Sequence, residues 1–304
     1  MLSIKPSGQN LGATIDGLDL SKTVGDQDLG EIVQALGRHG YVRFSNQKLN
    51  HFELKALSEQ FGELQVSVQP PTGVKIECPG VGVLSNIVID GKPIGKADAG
   101  LMWHTEASYN NVVGYVNVLH AIKVPVRDGQ VLGGTELVDT RGAYDGLPKD
   151  IKDQLKGAIA VHDVQNYWDS ASEGGSTRPP FSEEQRKKKP IVDHPIFLPH
   201  PITGKNALYV NPGFTVRIKD LSERDSEEML AFLFEHLMKP EYRHLYTWAE
   251  GDVMIWDNLL TMHRAVLDYR PDEPRWMIRC QVMGSKIFDP AFAHAVGLAD
   301  GTAG

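Results

Sequence analysis

The chain has 304 residues, of which 41% are hydrophobic and 23% are charged, and its formal net charge at pH 7 is −8. These proportions are typical of an ordinary globular protein, and the acidic balance argues against a nucleic-acid partner, which usually meets a basic face. No apolar run is long enough to cross a bilayer, and the N-terminal segment lacks the apolar region of a signal peptide, so we expect a cytoplasmic protein with no membrane partner. Cys78 and Cys280 are far apart in sequence, which predicts a reducing compartment and no disulfide framework.

Short β-rich runs bounded by turn residues recur along the whole chain. Several of them alternate apolar and polar residues, which is the pattern of a half-buried strand. The predicted strands comprise residues 13–20, 40–44, 81–89, 115–124, 207–211, 252–256 and 276–283.

Helical periodicity is less frequent than the strand pattern. The predicted helices comprise residues 27–38, 51–61, 150–159 and 222–237, and Ser222 is a candidate N-cap for the last one. Strands do not alternate regularly with helices, so a sandwich or jelly-roll barrel fits better than a doubly wound sheet. We therefore expect a mostly β protein of the α+β class, with helices flanking a β core.

Residues 169–189 form the least core-like segment, which is rich in Gly, Ser and Pro and ends in a basic run. A long loop of this kind is either a functional lid or a disordered segment. We predict a lid or pocket wall that includes Phe181, and a solvated surface for the basic run. No second linker is evident, so residues 1–304 are predicted to form a single domain.

The stretch W-H-T-E-A-S-Y at residues 103–109 carries the first chemical signal. In an extended strand the side chains of His104 and Glu106 leave the same face. An imidazole and a carboxylate that converge on one point are two thirds of the 2-His-1-carboxylate site of non-heme iron(II) oxygenases. A single H-x-E pattern is also common by chance, so the interpretation depends on a further histidine.

The third candidate ligand is His263, in W-D-N-L-L-T-M-H-R-A-V, one of eleven histidines in the chain. It is followed by Arg275 and Arg279, which would share one face of a strand in P-R-W-M-I-R-C. Arginines that point inward are costly to bury unless each meets an anion, and guanidinium groups bind carboxylates bidentately. The alternative is a pair of exposed arginines at a strand edge.

These segments together resemble the TauD/TfdA family of iron(II)- and 2-oxoglutarate-dependent dioxygenases. The resemblance covers roughly residues 4–285. The matching blocks are L-G-A-T-I-D-G-L-D-L-S, W-H-T-E-A-S-Y, L-G-G-T-E-L-V-D-T-R-G-A-Y-D-G-L-P, H-P-I-T-G-K-N-A-L-Y-V-N-P-G-F-T, W-D-N-L-L-T-M-H-R-A-V and R-W-M-I-R.

The resemblance implies a double-stranded β-helix, the cupin-like jelly roll, with His104, Glu106 and His263 as the ligands of Fe(II). It implies that Arg275 and Thr135 bind the distal carboxylate of the cosubstrate 2-oxoglutarate. Arg279 matches the position that holds the sulfonate of the substrate in taurine dioxygenase. The implied reaction consumes dioxygen (O2), releases succinate and CO2, and oxidises a small anionic substrate; the implied assembly is a homo-oligomer, either a dimer or a tetramer.

The sequence departs from the family pattern in two places. Glu106 replaces the commoner aspartate of H-x-D; it keeps the carboxylate and argues against a halogenating variant. Gly100 stands where taurine dioxygenase has an asparagine that touches its substrate, so we expect a substrate other than taurine. Two alternatives stay open: a catalytically lapsed metal- or ligand-binding protein of the same fold, and a zinc hydrolase that uses the same ligands.

Overall fold

The computed structural model describes residues 1–65, 78–173 and 182–297. Within these ranges, β-strands outnumber helices and form several sheets, in which all pairs are antiparallel except β2 with β3. The strands are β1 (Ser3–Pro6), β2 (Ala13–Asp16), β3 (Tyr41–Phe44), β4 (Val81–Ser85), β5 (Val88–Ile89), β6 (Lys92–Pro93), β7 (Gly114–Lys123), β8 (Val126–Arg127), β9 (Gln130–Val131), β10 (Thr135–Asp139), β11 (Ile159–His162), β12 (Val192–Pro195), β13 (Phe197–Pro199), β14 (Asn206–Leu208), β15 (Thr215–Ile218), β16 (Arg243–Tyr246), β17 (Val253–Asp257), β18 (Thr261–Ala265) and β19 (Trp276–Met283). The helices are α1 (Asp26–His39), α2 (His51–Phe61), α3 (Thr140–Asp145), α4 (Lys149–Gln154), α5 (Val164–Glu173), α6 (Glu183–Lys187), α7 (Glu223–Leu237) and α8 (Pro290–Ala295), with a 3₁₀ turn at Pro240–Tyr242.

The largest sheet has seven strands in the order β1-β2-β3-β17-β7-β19-β4. Because side chains alternate between the two faces of a strand, its central strands β7, β17 and β19 present two different surfaces. The outer face includes Val118, Ile255 and Ile278, which pack in one buried cluster with Leu36 of α1 and Leu57 of α2. Helices α1 and α2 therefore cover one side of this sheet.

The inner face of the same sheet packs against a smaller sheet of order β16-β10-β18. Leu119, Met254 and Met277 from the large sheet share a buried cluster with Leu137 of β10 and Tyr246 of β16. This arrangement of two sheets around an interior is that of a jelly roll, and the mostly β α+β prediction is confirmed.

A third layer lies outside the smaller sheet. Val138 of β10 and Met262 of β18 pack with Ile218 of β15 and with Leu230 and Leu233 of α7. A separate three-stranded sheet of order β12-β11-β15 adjoins this cluster. The smaller sheet is thereby held between two apolar layers, so its inner side chains are fixed from both directions.

Most predicted elements are found near their predicted bounds. The helix predicted at 51–61 and the strand predicted at 276–283 match α2 and β19, and the Ser222 side chain accepts a hydrogen bond from Asp225 N at 3.1 Å at the start of α7. The helix predicted at 150–159 is wrong in its second half. There, α4 ends at Gln154, Gly157 adopts a φ of 77°, and β11 begins at Ile159.

The sequence predicts no disulfide framework, and Cys78 and Cys280 are both buried free thiols. In the described part of the chain, no helix has both the length and the apolar character that a membrane span requires.

Candidate active site

Three of the predicted site residues converge in the interior between the two sheets. His263 lies on β18, opposite Leu137 of β10, and His104 faces it across an isolated β-bridge. Donor atoms of His104, Glu106 and His263 all lie within 4.8 Å of one another, and all three residues are buried. Among the described residues this is the sole such group of three, so the predicted triad is brought together in space.

The local structure of the W-H-T-E stretch differs from the predicted strand. His104 N donates to His263 O at 3.0 Å and His263 N donates to His104 O at 2.9 Å, but the chain then turns, with Ala107 at a φ of 56°. The stretch is therefore a single bridge at His104 followed by a turn that begins at Glu106, and not a continuous strand. The turn packs against the start of β7, where a Cβ on Gly114 would lie 2.5 Å from Glu106 O, so only glycine fits there.

The backbone orients one of the two histidines, and burial keeps the other uncharged. His104 Nδ1 lies 2.7 Å from the carbonyl oxygen of Met102, which accepts its proton. Burial, with His104 and Arg279 nearby, holds the pKa of His263 well below its ordinary value. Metals bind the neutral form of imidazole, and His263 Nδ1 is buried with no hydrogen-bond partner in the described structure. This donor set fits a divalent iron ion.

Glu106 receives two donors on a single oxygen. Arg279 Nη1 donates to Glu106 Oε2 at 3.0 Å, and Asn117 Nδ2 donates to the same atom at 3.3 Å. That oxygen is also 3.9 Å from His104 Nε2. Asn117 was not predicted, although an amide in the middle of the apolar run Y-V-N-V-L is a signal that could have identified it.

Arg275 is buried, with 6% of its surface exposed, and no carboxylate in the described ranges forms an ion pair with it. Its Nε has no hydrogen-bond partner there, and burial lowers the pKa of its guanidinium, with Tyr269 as a hydrogen-bonded neighbour. A buried guanidinium without an anion is unfavourable unless a ligand supplies one. The geometry therefore fits an anionic ligand such as the distal carboxylate of 2-oxoglutarate.

Two further contacts hold Arg275 in place. Asn86 Oδ1 accepts a hydrogen bond from Arg275 N at 2.8 Å, and Asn86 Nδ2 donates to Glu273 O at 2.9 Å. A Cβ at Gly133 would lie 3.0 Å from Cδ of Arg275, so the backbone approaches the guanidinium closely. Sequence reasoning missed Asn86 because it lies far from Arg275 along the chain.

Thr135 begins β10, two residues after Gly133, and is buried. Its hydroxyl oxygen accepts a hydrogen bond from the indole Nε1 of Trp248 at 3.0 Å. With its oxygen engaged as an acceptor, the hydroxyl keeps its own proton for a second partner. Gly133, which lies beside Arg275, is thus two residues before Thr135 in the chain.

An aromatic wall formed by Tyr109, Tyr167 and Phe214 adjoins His104. The Phe214 and Tyr167 ring centroids lie 6.0 and 5.7 Å from that of His104, and Tyr109 lies 4.7 Å from Phe214. Burial raises the pKa of Tyr109 to about 12, so its phenol is neutral. This wall gives the metal-facing side of the site an apolar boundary.

The segment predicted as a lid, residues 169–189, is helical at both ends. It contains the end of α5 and all of α6, and Lys189 Nζ lies 5.0 Å from the Tyr109 ring centroid and 3.1 Å from Asn110 Oδ1. Phe181 lies outside the described residues. The Gly100 position predicted to face the substrate lies beside His104, where an added Cβ would be 3.6 Å from Cε1.

Several known proteins are similar to this chain. A family profile described as "Taurine catabolism dioxygenase TauD, TfdA family" matches residues 3–281. The chain is 31% identical to pentalenolactone F synthase of Streptomyces avermitilis, over 88% of this chain and 89% of that protein. It is 28% identical to the alpha-ketoglutarate-dependent 2,4-dichlorophenoxyacetate dioxygenase of Cupriavidus pinatubonensis, over 83% of this chain and 88% of that protein. A crystal structure of a taurine dioxygenase from Burkholderia xenovorans superposes with a TM-score of 0.73 at 27% identity, over 93% of this chain and 89% of that one.

Proposed function

The chain belongs to the TauD/TfdA family of 2-oxoglutarate (alpha-ketoglutarate)-dependent dioxygenases, and from that membership we propose that it oxidises a small organic anion, carboxylate or sulfonate. One observation carries this proposal. The buried residues His104, Glu106 and His263 lie beside the positively charged side chain of Arg279, which is 19% exposed. Two of the three relatives named above are, by their names, a 2,4-dichlorophenoxyacetate dioxygenase and a taurine dioxygenase, and both substrates carry an anionic group. A catalytically lapsed binding protein has no support among these relatives.

In this proposal His104, Glu106 and His263 hold Fe(II). When bound with 2-oxoglutarate, iron supplies activation of dioxygen, with succinate and CO2 as coproducts. The chain itself supplies two imidazoles and a fixed carboxylate. The β-bridge between the histidines fixes the distance between their backbones, which pre-organises the ligands before the metal arrives.

Arg275 and Thr135 bind the distal carboxylate of 2-oxoglutarate. The guanidinium, which is buried and has no ion-pair partner among the described residues, offers charge-assisted hydrogen bonds to this carboxylate. The Thr135 hydroxyl, whose oxygen already accepts from Trp248, donates its proton to the same carboxylate. The cosubstrate thereby satisfies two groups that the fold leaves incompletely paired.

Arg279 binds the anionic group of the substrate, and the aromatic wall packs against its apolar body. Tyr109, Tyr167 and Phe214 exclude water from the His104 side of the site. We assign residues 169–189 as the lid, because Lys189 reaches back to Tyr109 of this wall. The absence of a side chain at Gly100 removes the amide donor that taurine would need, which favours a substrate other than taurine.

The test is an anaerobic titration of the iron(II)-loaded protein with 2-oxoglutarate, monitored through the visible metal-to-ligand charge-transfer absorption of the complex. We expect a band that shifts when 2,4-dichlorophenoxyacetate or another carboxylate or sulfonate from a small panel binds, and succinate formation once air is admitted. His263→Ala serves as the matched control that lacks one ligand. A protein that binds iron but develops no band with 2-oxoglutarate would contradict the proposal, and hydrolysis without oxygen would favour a zinc hydrolase.

We further propose that residues 1–304 form one domain, that the protein works in the cytoplasm as a homo-oligomer, and that it has no nucleic-acid partner. The net charge of −8 supports the last point. Size-exclusion chromatography with light scattering tests the oligomer, and a monomeric mass at micromolar concentration would refute it.

A further inference from the structure

Asn117 has a side-chain amide that no contact within the β-sheet needs. It lies in the middle of β7, between Val116 and Val118, and none of its surface is exposed. Its cross-strand neighbours are Trp256 of β17 and Gln281 of β19. At this point the side chain faces the interior between the two sheets, on the same side as the candidate site.

The hydrogen bonding of Asn117 is incomplete. Its Nδ2 donates to Glu106 Oε2 at 3.3 Å, while its Oδ1 is buried without a partner in the described structure. Burying an amide in this state opposes folding, because the oxygen loses its hydrogen bonds to water. The residue therefore destabilises the core relative to an apolar side chain, and its one contact leads to Glu106.

The same oxygen of Glu106 has a second donor, Arg279 Nη1, at 3.0 Å. Under the function proposed above, Arg279 also binds the anionic group of the substrate. Its guanidinium is then shared between the Glu106 carboxylate and the carboxylate or sulfonate of the substrate. Asn117 carries no charge and is not exposed, so an incoming anion does not recruit it. It is the donor that stays on Glu106 when Arg279 turns to the substrate.

We propose that Asn117 is a positioning residue that holds the Glu106 carboxylate facing the metal, independently of substrate; this inference rests on the function proposed above. The other two ligands have comparable supports. Met102 O orients His104, and the Trp256 ring lies 4.9 Å from the His263 ring. Glutamate has one more rotatable bond than aspartate, so a metal-binding glutamate has more need of a fixed donor.

The experiment measures Mn²⁺ affinity from the electron paramagnetic resonance signal of the free ion, with no turnover required. We compare the wild-type protein with Asn117→Leu, which is apolar and of similar size, and with Gln281→Leu as the matched control. Gln281 is a buried amide on the neighbouring strand of the same face, and in the described structure its side chain makes no hydrogen bond to Glu106. We expect Asn117→Leu to bind Mn²⁺ about 10- to 100-fold more weakly and Gln281→Leu to bind it as the wild type does.

Thermal unfolding of the metal-free variants separates positioning from a structural role. If Asn117 acts only toward the metal ligand, Tm of metal-free Asn117→Leu is equal to or above that of the wild type, since an incompletely paired amide has been removed. A lower Tm together with unchanged Mn²⁺ affinity would overturn the inference. Asn117→Val repeats the test with a smaller side chain should leucine prevent folding.

The outcomes also distinguish this inference from the proposed function. A wild-type protein that binds no Mn²⁺ would overturn both. A wild-type protein that binds Mn²⁺ and forms succinate, beside an Asn117→Leu variant that binds Mn²⁺ equally well, would overturn the positioning role alone.

Discussion

Arg275→Met provides the most direct test of the cosubstrate site. Arg275 is 6% exposed, and in the described structure it has no ion-pair partner, so water does not replace its guanidinium when that group is removed. Truncating one partner of a buried, hydrogen-bonded charge pair costs about 2–5 kcal/mol of binding free energy. At about 1.4 kcal/mol for each factor of ten, Kd for 2-oxoglutarate should rise about 30- to 4,000-fold.

The same substitution should have the opposite effect on the protein without ligand. Burial lowers the pKa of the Arg275 guanidinium, which means that the fold disfavours its charge when no anion is bound. Methionine fills similar space without a charge, so Tm in the absence of 2-oxoglutarate should be unchanged or higher. Stability and cosubstrate affinity should thus move in opposite directions.

Isothermal titration of 2-oxoglutarate into the Mn²⁺-loaded protein measures the first effect, and thermal unfolding measures the second. Arg224→Met is the matched control, because Arg224 is an exposed arginine on α7. An Arg275→Met variant that folds, binds Mn²⁺ and retains wild-type affinity for 2-oxoglutarate would refute the assignment of this residue.

Three further predictions concern other parts of the site and core. His263→Ala should lose most Mn²⁺ affinity in the paramagnetic resonance assay, and retained affinity would exclude it as a ligand. Asn86→Ala removes the acceptor for Arg275 N, a hydrogen bond worth about 1 kcal/mol. KM for 2-oxoglutarate, measured by succinate formation, should therefore rise about fivefold, while Mn²⁺ affinity should not change. A loss of Mn²⁺ affinity instead would contradict a role confined to Arg275. Burial lowers the pKa of His162 to about 3. Between pH 6.5 and 3 the unfolded chain therefore binds a proton at this histidine that the folded chain does not, and the free energy of unfolding decreases as the pH is lowered. Urea unfolding at pH 7 and 5 should differ by about 2 kcal/mol more in the wild type than in His162→Phe, and equal differences would contradict this account.

Sequence patterns predicted those parts of the fold that local periodicity determines. Helix α2 and strand β19 have clear apolar patterns and unambiguous ends, and they lie where predicted. The prediction of one helix over residues 150–159 was wrong because the helical pattern continued past Gly157, whose positive φ precedes the start of β11. The pattern alone did not distinguish a short helix followed by a strand from one longer helix.

The candidate site shows a similar division. His104, Glu106 and His263 were candidates from residue type, became a predicted ligand set through the resemblance to the TauD/TfdA family, and lie together. The stretch at residues 103–109 is not a continuous strand, because it pairs only through a bridge at His104 and then turns, with Ala107 at a φ of 56°. Asn117 and Asn86 were missed since their importance comes from contacts across strands and turns, which depend on tertiary packing.

The β-bridge between His104 and His263 also bears on the order of events during folding. Two reciprocal backbone hydrogen bonds, of 3.0 and 2.9 Å, join segments that are distant in the chain. Closing so large a loop has an entropic cost that contacts elsewhere must first offset, so non-local pairings of this kind form late. The two imidazoles therefore come together only in a nearly complete barrel. Metal is expected to load after folding, slowing unfolding while leaving the refolding rate unchanged.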